Sequence, residues 1–129
     1  MRKIFKQDGS SLIEVIVSLL MVAVLLVLYA SALNTVRQAR KLRNENIAYH
    51  IANKEMESLR NISYASLPAN GVINDALLSQ LPSGAGTYTT GAYPGYANVK
   101  EIVVTVTWND GLARQILLKS LSGIGGLNP

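Results

Sequence analysis

The sequence contains no cysteine. Disulfides, thiolate metal sites and cysteine nucleophiles are thereby excluded. Histidine occurs once, at His50. With no ligand-type residue beside it, it reads as a solvated or subunit-contact side chain, not as a metal ligand or general base. The 8 acidic residues show no calcium-loop spacing. Glu45, Glu55 and Glu57 compose no site, and Glu57 and Arg60, three apart, read as a surface pair. There is no Ser–His–Asp order, no phosphate loop and no metal spacing. The expectation is a non-enzyme with no cofactor and no metal. One further absence shapes the fold. From Ser10 to Leu67, 58 residues, there is neither Gly nor Pro, the two strongest helix breakers.

What is present is unevenly spread. The 129 residues are 49% hydrophobic, yet between Leu12 and Leu33 the only clearly polar side chains are Glu14, Ser18, Tyr29 and Ser31. Those 22 residues span about 33 Å as a helix, enough to cross a bilayer hydrocarbon core. Beyond them Ala48, Ala52, Met56, Leu59 and Ile62 recur three or four apart on one face. One continuous helix from Ser11 to about Ile62, roughly 75 Å long, is the economical reading. Past Ser63 the composition changes. Pro68, Gly71, Pro82, Gly84, Gly86, Gly91, Pro94 and Gly95 mark a loop-rich region, with room for a short helix near Asp75–Leu81. In Val99–Trp108, Ile102, Val104, Val106 and Trp108 alternate with Val103, Thr105 and Thr107, a strand at period two. Asn109-Asp110-Gly111 signals a hairpin, Leu112–Leu121 supplies the returning strand, and the Gly-rich tail Gly123–Pro129 is read as frayed. The expected fold class is α+β: a leader over 1–9, a long helix over 10–64 that is membrane-embedded over about 12–33, and a small β-rich head over 65–129, its antiparallel sheet packed on the C-terminal half of the helix.

The residues most informative about function are Lys6-Gln-Asp-Gly9-Ser10-Ser11-Leu12-Ile13-Glu14-Val15. A basic leader ends in Gly9, an apolar helix comes directly after it, and one carboxylate stands at the fifth position after the glycine. A lone Glu in an apolar membrane segment is unfavourable and is rarely accidental. The next cation along the helix, Arg37, is more than 20 positions away and out of reach. An α-amino group exposed at Ser10 by cleavage after Gly9 would supply the missing charge.

These residues resemble the type IV prepilins and type II secretion pseudopilins, whose signature is a short basic leader, a Gly cut by prepilin peptidase, and an apolar helix of the pattern F-T-L-I-E-V. The resemblance implies cleavage between Gly9 and Ser10 and N-methylation of the new terminus. It also implies that Glu14 pairs with the terminal amine of a neighbouring subunit, while Leu12, Ile13, Val15, Ile16 and Leu19 supply buried surface in the filament core. Implied partners are other pilin or pseudopilin subunits, prepilin peptidase, an inner-membrane assembly platform and the membrane itself. The implied location is the cytoplasmic membrane, single-pass with the head extracytoplasmic, and then a pilus or pseudopilus. Ser10 and Ser11 depart from the family's Phe and Thr. No Pro interrupts the apolar run, as one does in many major pilins, which favours a minor pilin or pseudopilin. Ile51–Arg60, Tyr64 with Leu67-Pro68, and the V-T-V-T-W strand look like the minor-pilin V and pseudopilin I class.

Other readings account for parts of the same pattern. Lys3, Lys6 and Ala30-Ser31-Ala32 fit a secretory signal peptide cleaved after Ala32, releasing a binding module. Against this, the apolar run exceeds the usual length and carries Glu14 near its start. A plain single-span membrane protein is the third possibility. Three basic residues precede the span and four, Arg37, Arg40, Lys41 and Arg43, closely succeed it, so charge counting does not fix the orientation. This second group could contact anionic headgroups, acidic faces of adjacent subunits, or nucleic acid phosphates in a DNA-uptake filament. The bland alternative is a solvated stretch of helix.

Overall fold

The computed structural model describes residues 10–125. The expected leader with Gly9, and the tail from residue 126, lie outside the described residues. The architecture is α+β. Helix α1 runs Ser10–Arg60, as the stretch free of Gly and Pro requires. Four antiparallel strands come after it: β1 (Asn70–Val72), β2 (Ala85–Tyr93), β3 (Tyr96–Asn109) and β4 (Ala113–Gly123), in the spatial order β1-β2-β3-β4. By compactness the chain divides into two units, one ending at Arg40 and one beginning at Lys41.

The second unit is a helix-on-sheet layer pair. From α1 come Ala48, Ile51, Ala52, Met56 and Leu59; from β3 come Ile102, Val104, Val106 and Trp108; Leu67, Ile73 and Leu81 close the sides. The helical residues lie three or four apart, and the strand residues alternate, so each element turns one apolar face to the other. Every large aliphatic side chain so buried contributes about 1.5–3 kcal/mol. Asn109, Asp110 and Gly111 do form the β3–β4 turn. Gly111 has φ +103°, and its N–H donates to Asn109 Oδ1 at 3.1 Å, an Asx turn whose left-handed residue suits glycine.

Differences from the sequence expectations lie at boundaries and in the segment expected as loop. The helix stops at Arg60 instead of Ile62 or residue 64. The Ile62 N–H donates to the Leu59 carbonyl at 3.1 Å, three residues back, which tightens the last turn, and Ser63 is extended (φ −61°, ψ 147°). The short helix near Asp75–Leu81 is a 3-10 turn over Ala76–Gln80. Part of the segment expected as loop is sheet: Pro94-Gly95 closes a β2–β3 hairpin with Tyr93 opposite Tyr96, and β1 pairs Asn70–Val72 with Thr89–Thr87. Gly86 is buried in β2 because a Cβ there would stand 2.9 Å from the Ile73 side chain.

Candidate functional site

Among the described residues the first unit contributes none to the buried core. Every described side chain from Ser11 to Arg40 is exposed, including Leu12 and Leu19 at 65% and Ile13 at 64%. Val15 and Ile16 are exposed as well. The segment is long and apolar enough to cross a membrane. Over Leu19–Leu28 it is apolar around its whole circumference, as befits a helix surrounded by lipid or by other helices. In water so large a continuous apolar surface marks an interaction surface. Helical spacing puts Leu12, Val15, Ile16 and Leu19 on one side, whereas Ile13 points about 100° away from Leu12. Ser10 begins the helix.

Glu14 is exposed one turn into this helix. Among the described residues no ion pair includes its carboxylate. It does not stand alone in polarity. Ser11, Glu14 and Ser18 lie three and four apart and, with Val15, Leu19 and Val22, line one shallow groove along the helix. The Ser18 hydroxyl donates to the Glu14 carbonyl at 2.7 Å, and Thr35 does the same to Ser31 at 3.1 Å. These back-bonds leave both hydroxyls satisfied within the helix. The serines that share the face of Glu14 escape a reading for charge alone, although their 3-4 spacing is present in the sequence.

The head offers no competing chemistry of comparable clarity. Among the described residues no group of three His, Cys, Asp or Glu could hold a metal ion, and His50 is exposed. Its charged contacts fasten loops. Lys54 Nζ lies 2.8 Å from Asp75 Oδ2, and the other carboxylate oxygen, Oδ1, accepts from the Leu77 N–H at 2.9 Å, capping the 3-10 turn. The hydrogen bond from Lys54, then that from the Leu77 backbone, holds the Asp75 carboxyl below its ordinary value; Asp75 in turn raises Lys54. Lys100 Nζ sits 4.5 Å over the Tyr64 ring and donates to the Tyr64 carbonyl at 2.9 Å, pinning the chain after α1 to β3. Glu57 and Arg60 form an exposed pair at 2.9 Å. The Trp108 indole is core, though its Nε1 has no hydrogen-bond partner among the described residues.

No family model matches the chain, and neither the curated proteins nor the solved structures returned a match.

Proposed function

We propose that this chain is a structural subunit of a type IV pilin-like filament, a minor pilin or a type II secretion pseudopilin. Prepilin peptidase removes residues 1–9, and the new Ser10 terminus is N-methylated. The subunit waits in the cytoplasmic membrane as a single-pass protein with an extracytoplasmic head. At the assembly platform its apolar helix exchanges lipid for the helices of other subunits. Little hydrophobic free energy changes in that exchange, so packing and polar pairing between helices decide it.

The observation that carries this reading is an apolar helix, exposed on all sides, with a single carboxylate at Glu14 one turn from its start. Packed among helices, an unpaired carboxylate is costly, and a neighbouring amine at Ser10 offsets much of the penalty. Pairing between subunits also fixes their axial register.

Intact mass of the protein extracted from its native membrane is the test. Loss of residues 1–9 with gain of one methyl group is expected. A chain beginning at Leu33 would instead identify an ordinary signal peptide. As a second check, Glu14→Ala leaves the thermal melt of the head unchanged and abolishes filament incorporation. Normal assembly of Glu14→Ala with its leader still attached sinks the proposal.

A further inference from the structure

The basic run after the apolar segment plays no part in that assembly scheme. Arg37, Arg40, Lys41 and Arg43 come within seven residues of Val36, and all four side chains are exposed. Among the described residues none of the four takes part in an ion pair. Their position is set by the segment before them. Val15–Val36 is 22 residues, about 33 Å of helix, against a hydrocarbon core of about 30 Å. With Glu14 at one boundary, Arg37 arrives at the headgroup depth of the opposite leaflet. Leu33 and Val36, both exposed, precede it and belong against acyl chains, while the long basic stems reach the phosphates. Arg37 and Arg40, three apart on the helix, stand side by side.

We propose that Arg37 and Arg40, extended along the chain by Lys41 and Arg43, form a contact for anionic phospholipid headgroups that selects the lipid around the subunit before assembly. The inference rests on the membrane-spanning part of the functional reading. It gives these cations a role that topology signalling does not, since basic residues beyond the span work against export of the head. Lipid is favoured over nucleic acid on two grounds. The apolar run delivers the cations to headgroup depth in every inserted subunit. Residues 37–43 also contain no aromatic side chain on which bases could stack.

The test uses the full chain reconstituted in phosphatidylcholine vesicles containing a minor fraction of phosphatidylglycerol. Spin-labelled analogues of each lipid report which one associates with the protein. Phosphatidylglycerol is expected to be preferred about fivefold or more, since each cation near the surface contributes on the order of 1 kcal/mol, and the preference shrinks at high salt. Arg37→Gln with Arg40→Gln reduces it, and adding Lys41→Gln and Arg43→Gln removes it; glutamine keeps the helix propensity. Equal association of the two lipids with the unaltered chain overturns the proposal. So does a preference that survives all four substitutions, which would then belong to Arg2, Lys3 and Lys6. Loss of the preference to an added DNA duplex of equal phosphate content would assign the run to nucleic acid instead. Failure to insert even into phosphatidylcholine would bring down the membrane-spanning reading and this one with it, whereas equal association after normal insertion sinks this one alone.

Discussion

The two units of this protein meet the same physical demand in opposite ways. From Lys41 onward, apolar side chains are sorted to one face: Ala48, Ile51, Ala52, Met56 and Leu59 are buried while Asn53, Lys54, Glu57 and Ser58 are exposed. From Ser11 to Arg40 there is no such sorting, and every described side chain is exposed. A stripe can be covered by one sheet, but a helix that is apolar all round cannot. The second unit therefore carries its stability within itself. The first leaves its apolar surface exposed, which is compatible with membrane anchoring.

The largest effect that sharpens this contrast is a core truncation. Ile51→Ala or Val104→Ala, each removing a fully buried side chain, should cost the head about 2–4 kcal/mol in a urea melt of the detergent-solubilised protein. Leu19→Ala, an equal truncation on the first unit, should leave that melt unmoved; a comparable loss there would break the comparison. Next comes Gly86→Val, which drives new atoms into Ile73 and should cost about 1–3 kcal/mol by the same assay. Asp75→Ala should cost about 1 kcal/mol through the lost cap. It also carries a pH signature. The folded Asp75 carboxyl is held below its ordinary value of 3.8, so its contribution is complete above that value and fades as pH falls through the lower folded one. An acid titration of stability should therefore be steeper in the unaltered protein than in Asp75→Ala below about pH 4. Smallest of all, Arg60→Gln breaks an exposed pair and should shift stability by no more than about 0.5 kcal/mol.

Legibility in the sequence tracked the strength of local patterning. The long helix, the alternating β3 face and the Asn109-Asp110-Gly111 turn could be read directly, because each depends on residues within a turn or a strand of one another. Strand β2 could not. Its inward positions are Gly86, Tyr88 and Thr90, opposite Val106, Val104 and Ile102. A glycine and a threonine give no apolar alternation, so the segment resembles loop. Pro94-Gly95 points the same way, although it is a hairpin turn. At the candidate site the carboxylate is evident from its isolation in the sequence, whereas Ser11 and Ser18 join it only once helical phase puts the three on one face.

By itself the sequence determined that residues 11–36 form an apolar helix carrying one carboxylate, since length, composition and the lack of breakers are local properties. Tertiary structure alone decided that a weakly patterned stretch such as Ala85–Tyr93 becomes a central strand. The reason is that β2 gains its backbone hydrogen bonds from β1 and β3, and Gly86 fits there by letting Ile73 approach. Neither partner can be inferred from the strand's own residues.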